Sequence, residues 1–370
     1  MCCIAVTVRE AAVESPFEIE SRRQRLLGCV AESDWSDAEM LKRLAPSDGS
    51  LRFMKAALFT PLVLASTACW VVPSGLLRLG TKDPGVRIAG LTSCASDASE
   101  ALTIDPSKQL TVLVHGCRFS RGGFRTLAQV FEAHGQQTVC FNYNDRDLLE
   151  TSARQLRVAL ESLETLLSPG LLTLVGHSQG GLVARRALVD EGGSSHPVHA
   201  GFQYRLVTVS SPFAGIASSR DCGRVWLHVL SLGVTVVICQ VIAGDNWHEI
   251  FPGSDFMVHP GTLVSSVAEH VEVVTDERGA CRRQSTDGAC AESDFVFALQ
   301  EQTNSAVDSD PRVVHAQVQA GHVEIVGEQG TPPAKLLEVL QSQRILTALS
   351  PERSKEVAAL VDRIYRVSRE

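Results

Sequence analysis

The stretch Leu171-Leu172-Thr173-Leu174-Val175-Gly176-His177-Ser178-Gln179-Gly180-Gly181-Leu182-Val183-Ala184-Arg185-Arg186 constrains this chain more than any other. Its first five residues are dominated by apolar side chains and predict a buried strand. Gly176-His177-Ser178-Gln179-Gly180 then fits G-x-S-x-G, and Leu182 onward predicts a helix. A strand that turns this sharply into a helix holds the serine at the apex in a strained backbone conformation, and glycines on both sides let strand and helix approach closely. The Ser178 hydroxyl is thereby presented at a helix N-terminus, where free N–H groups favour developing negative charge.

The surrounding text repeats the same alternation. Leu110-Thr111-Val112-Leu113-Val114 reads as a second buried strand. It is followed by a helix over 124–133, a strand over 137–143, and a helix over 148–167 with Leu149, Leu156, Val158, Leu160, Leu163 and Leu166 at helical spacing. Further strands are predicted over 204–209, 270–275 and 312–319, with two C-terminal helices over 332–349 and 351–368. Strands and helices in this rhythm imply an α/β fold with a mostly parallel sheet covered on both faces. Ligands of such sheets bind at the carboxyl ends of strands, where Ser178 lies.

With 370 residues, 44% hydrophobic and 21% charged, the chain can build one large domain with appendages, and its net charge of −8 argues against nucleic acid as a partner. Eleven cysteines without a C-x-x-C pair point to an oxidising compartment rather than to zinc. No cluster of His, Asp and Cys has metal-ligand spacing, so no metal and no cofactor are expected.

Residues 1–53 carry scattered charges and no sustained apolar period, and are expected to be disordered or to precede the functional start at Met54. From there Lys55, an apolar run over 56–65, and Ser66-Thr67-Ala68-Cys69 resemble a bacterial lipoprotein signal peptide over 54–69, with Cys69 lipidated. Ser66 departs from the usual leucine. That resemblance implies export to the cell envelope and membrane attachment through Cys69. Residues 70–107 read as a linker with a short edge strand near 86–91.

His115-Gly116-Cys117, directly after the Leu110-Val114 run and upstream of G-x-S-x-G, resembles the oxyanion loop of the α/β-hydrolase superfamily, especially bacterial esterases and lipases. The resemblance implies an α/β-hydrolase domain over 108–350 and a C-terminal helix over 351–370. It also implies a helical lid inserted at 217–257, whose apolar run 225–239 would cover acyl chains. It assigns Ser178 as nucleophile and the N–H groups of Gln179 and Cys117 as oxyanion donors. His322, in Ala320-Gly321-His322 after the last strand, becomes the base. The acid is expected at Asp294, in Ser293-Asp294-Phe295-Val296-Phe297, with Asp276 at the end of the preceding strand as the alternative. Cys281 and Cys290 are expected to close a small insertion, and Cys117–Cys140 and Cys222–Cys239 are further candidate pairs. The function so implied is hydrolysis of an ester or lipid substrate through an acyl-enzyme. An acyltransferase or thioesterase with the same triad, and an inactive lipid-binding lipoprotein, stay open.

Overall fold

Every residue of Leu110–Val114 is buried, as a strand flanked by helices on both faces requires. The computed structural model describes residues 85–95, 101–117, 124–168, 170–190, 202–219, 244–328 and 330–367. The signal segment 54–69 with Cys69, the extension 1–53, most of the linker before residue 85, the apolar run 225–239 and the Cys222–Cys239 pair lie outside the described residues.

The strands of the main sheet are β1 (Leu91–Thr92), β2 (Leu110–Val114), β3 (Gln137–Phe141), β4 (Leu171–His177), β5 (Gln203–Val209), β6 (Val267–Asp276) and β9 (Val313–Gln319), while β7 (Cys281–Gln284) and β8 (Cys290–Ser293) form a separate hairpin. The sheet order is β1-β3-β2-β4-β5-β6-β9. β1 is antiparallel to β3, and the remaining pairs are parallel. Strand order reverses between β2, which continues to β3 on one side, and its other neighbour β4. A crevice opens at the carboxyl ends of strands flanking such a switch, and His115-Gly116 and Ser178 both sit there.

The described helices are α1 (Arg125–Ala133), α2 (Leu149–Glu164), α3 (Gln179–Ala187), α4 (Asp255–Val258), α5 (Leu299–Gln302), α6 (Ser305–Asp308), α7 (Ala334–Ser342) and α8 (Pro351–Val367). Period-two alternation in the strands sends side chains to two cores. On one face Leu113, Val175, Val207 and Val271 meet Leu127 and Phe131 of α1 and Leu336 and Leu340 of α7. On the other, Val112, Val114, Leu174 and Leu206 meet Leu149, Leu156 and Leu160 of α2 and Leu182 and Val183 of α3. Each such fully buried leucine contributes about 1.5–3 kcal/mol, so both helical layers are held on the sheet by apolar burial. Among the described residues no helix is long and apolar enough to cross a membrane.

Three details differ from the sequence expectations. The edge strand is Leu91–Thr92 rather than 86–91, and Val86 instead makes an isolated bridge to Leu102. α7 stops at Ser342, well short of 349, where Arg344 takes a φ of 55° that breaks the helix. Cys140 is bonded to Cys94, not to Cys117, because β1 lies antiparallel beside β3 with Thr92 opposite Cys140. The Cys281–Cys290 bond does close the β7–β8 hairpin.

Candidate active site

Ser178 stands between β4 and α3 with φ 56° and ψ −126°. For a residue with a Cβ that is a strained conformation, of order 1–3 kcal/mol, and the neighbours enforce it. The Ser178 N–H donates to the Val209 carbonyl at 2.8 Å. A Cβ on Gly176 would stand 2.5 Å from the Gly180 carbonyl, and one on Gly180 would stand 2.3 Å from the Val114 carbonyl. Both glycines are therefore required by backbone contacts that no side-chain rotation relieves.

The loop after β2 presses on this turn, since a Cβ on Gly116 would lie 2.9 Å from both the His177 carbonyl oxygen and the Ser178 Cβ. Tyr143 donates its hydroxyl to the His115 carbonyl at 2.7 Å and stacks on the His115 ring at 4.5 Å. Burial pushes the His115 imidazole down in pKa. Kept neutral, it has its Nδ1 3.0 Å from the Gly116 carbonyl, which ties the loop to itself. Cys117, next along, is buried. Gln179 is buried too, and its Nε2 donates to the Asp145 carbonyl at 2.9 Å. Asn246 donates its Nδ2 to the same carbonyl at 2.9 Å and to Gln179 Oε1 at 3.3 Å, so the turn at Asn246 is fastened to the residue after Ser178.

His322 enters from beyond β9. Its ring lies 4.7 Å from that of His177, the residue before Ser178, and edge-on to Phe297 at 4.8 Å. Burial first, and then the neighbouring His322, push His177 well down in pKa. The neutral ring places Nε2 2.9 Å from the His322 carbonyl and so steadies the loop that carries His322.

The carboxylate that meets His322 is Glu277, with Oε1 3.0 Å from Nδ1 and both side chains fully inside the protein. Oε2 of Glu277 accepts the N–H groups of Val296 at 2.5 Å and Phe297 at 2.8 Å. Burial alone would raise the Glu277 carboxyl, but the His322 imidazole and these two N–H groups outweigh it and hold the group below its ordinary value, hence charged.

This corrects the expected acid. The Asp294 carboxylate accepts the backbone N–H groups of Val323 and Glu324, each at 3.0 Å, and its carbonyl accepts that of His322, so it anchors the turn rather than the imidazole. The alternative, Asp276, is clasped by Arg278, whose Nε donates at 2.8 Å. Successive side chains at a strand end point opposite ways, so Asp276 turns out to Arg278 and Glu277 turns in.

Ser210 is a second residue that sequence reasoning missed. It follows β5 directly with φ 48°, donates Oγ–H to Glu277 Oε1 at 2.8 Å, lies 2.9 Å from His322 Nδ1, and accepts from Thr275 Oγ1 at 2.7 Å. A hydroxyl so placed fixes the carboxylate against the imidazole. Glycine tolerates the positive φ and removes the CH2OH side chain with its hydrogen bonds, so Ser210→Gly is expected to lower kcat about tenfold, the worth of one hydrogen bond to a charged group, with KM unchanged. Steady-state kinetics on a p-nitrophenyl ester checks this, and a change confined to KM would contradict it.

A sheet whose order reverses beside β2 and β4, a strained serine at the tip of β4, and a buried Glu–His pair that follows β6 and β9 give this chain the architecture of an α/β-hydrolase fold. A family model described as palmitoyl protein thioesterase matches residues 111–257, from β2 through the serine turn to α4. No curated protein matches the chain by sequence. Among solved structures it is similar to the mature form of the Bacillus licheniformis lipase BlEst2, at 14% identity and TM-score 0.42, covering 65% of this chain and 93% of that one. It is also similar to Aspergillus fumigatus lipase B, at 13% identity and TM-score 0.38, covering 66% of this chain and 54% of that one.

Proposed function

We propose that the chain is a serine hydrolase that moves the acyl group of a carboxylic ester or thioester onto Ser178 and then onto water. The observation that carries this reading is the buried Glu277–His322 pair, 3.0 Å apart, beside the residue that precedes a strained serine. Ser178 Oγ attacks the acyl carbonyl while His322 takes its proton through Nε2. Glu277 keeps the second proton on Nδ1 and stabilises the imidazolium. The main-chain N–H groups of Gln179 and Cys117 receive the oxyanion. The tetrahedral centre collapses as His322 returns the proton to the departing alkoxide or thiolate, leaving an acyl-enzyme that water, deprotonated by His322, then cleaves to the acid and free Ser178.

The family match over 111–257 favours a thioester as the second reading of the substrate, since thioester cleavage is what that family's description states. A thiolate leaves with little help from an acid, whereas an alkoxide needs the proton of His322. Residues 217–257 are proposed as a lid on the acyl site. The Cys94–Cys140 and Cys281–Cys290 bonds support export, because disulfides persist in oxidising compartments, and attachment through Cys69 belongs to that proposal. A fluorophosphonate probe is expected to label the peptide that carries Ser178, and parallel acyl panels with oxygen and sulfur leaving groups then rank the two substrates. An unlabelled, correctly folded protein would sink the enzyme reading.

A further inference from the structure

Away from the serine, the face of the sheet that carries α3 holds a buried carboxylate with no role in the chemistry above. Glu272 is the residue opposite His315 in the β6–β9 ladder, and its side chain is only 3% exposed. Neither of its carboxylate oxygens, nor Oδ1 of Asp308 at the end of α6, is met by an N–H or hydroxyl donor, and the two carboxylates lie side by side. Ligating atoms of Glu272, Asp308 and His315 all lie within 4.8 Å of one another. His315 Nδ1 stands 3.6 Å from Glu272 Oε2. That is too long for a hydrogen bond, but two donors on one tetrahedral ion with bonds near 2.1 Å are roughly 3.4 Å apart.

We propose that Glu272, Asp308 and His315 form a binding site for a zinc-type divalent cation that clips β6 to the edge strand β9. Two neighbouring carboxylates, one of them buried, need either a cation or a proton between them. An imidazole as third ligand favours zinc or a similar first-row ion over calcium and magnesium, which take oxygen donors. His315 is half exposed and gives the ion a route in, with water completing the fourth position. Arg185, the nearby guanidinium, turns its Nη1 and Nη2 donors to the carbonyls of Pro260 and Gly261, so its charge acts on Glu272 without a hydrogen bond to either free oxygen. Sequence spacing could not disclose this set, since its three ligands come from a strand, a short helix and the edge strand.

The site would be structural. Glu277 is five residues further on, just past the end of β6 and roughly 16 Å away at strand rise, so the ion cannot touch the reacting atoms. It would instead fix the register of the two strands whose ends deliver Glu277 and His322.

The test uses the full chain, stripped of metal with a chelator and titrated with zinc chloride, with bound metal counted by mass spectrometry and Tm followed by calorimetry. One zinc per chain is expected to bind through this site, and Tm is expected to rise about 4 °C at zinc a hundredfold above Kd. His315→Ala removes a half-exposed ligand and is expected to keep the metal-free Tm while losing both the zinc and the rise. Glu272→Gln should lose them as well. Equal zinc uptake by wild type and His315→Ala would overturn the site. So would a wild-type Tm that ignores millimolar zinc but climbs on acidification, the mark of a proton shared by Glu272 and Asp308.

Discussion

Ser178→Ala is expected to lower kcat for p-nitrophenyl ester hydrolysis about a million-fold, to the level left by substrate binding and oxyanion stabilisation alone. The size follows from the loss of the covalent route, for water must then attack without an acyl-enzyme. Tm should hardly move. The strain at φ 56° is a property of any side chain with a Cβ at this position, so alanine inherits it, and the close contacts at Gly176 and Gly180 are backbone contacts that the substitution does not touch. Ser178 is buried, so the lost hydroxyl changes little surface. A variant that retained measurable acyl turnover with an unchanged pH profile would mean that another nucleophile does the chemistry.

The turn around Ser178 was legible in sequence for a local reason. Glycine at 176 and 180 is demanded by backbone atoms a few residues away or on the adjoining strand, and such demands leave a short, recognisable pattern. His322 was legible on the same grounds, as a Gly-His after the last strand. The acid was not. Asp294, Asp276 and Glu277 all follow or end β6 within a short stretch, and a carboxylate's role depends on which way its side chain leaves the strand. The alternation that sends Val271 and Val273 into the core beneath α1 and α7 continues through Thr275 to Glu277, and that parity was the signal available. Position 276 is one residue short of it. The Asp294 turn looks like an acid turn because it is packed against the same loop: a Cβ on Gly321 would stand 2.0 Å from its Oδ2. Ser210 and the Cys94–Cys140 bond depend on strand neighbours far apart in the chain, which no local pattern encodes.

Glu277→Gln is expected to lower kcat about ten-thousand-fold, against less than about tenfold for Asp294→Asn. The amide is nearly isosteric, so the fold should tolerate it, but it reverses a proton preference. The Glu277 carboxylate only accepts, and so it holds the proton of the neutral imidazole on Nδ1 and leaves Nε2 free to take the proton of Ser178. Its Ser210 contact and its two N–H donors keep that charge fixed. Glutamine can turn its Nε2 donor toward Nδ1, which stabilises the other tautomer, with the proton on the nitrogen that must accept one. The imidazolium formed in the transition state also loses its counter-charge. Asp294→Asn changes a different quantity. Its carboxylate receives the N–H groups of Val323 and Glu324, and weakening them should cost about 1–2 kcal/mol of stability while the imidazole stays paired. Denaturant melts and kcat measured on the two variants separate the roles. If instead Asp294→Asn abolished turnover and Glu277→Gln did not, the carboxylate seated on His322 would be a structural contact and the acid would have to reach the imidazole in another conformation.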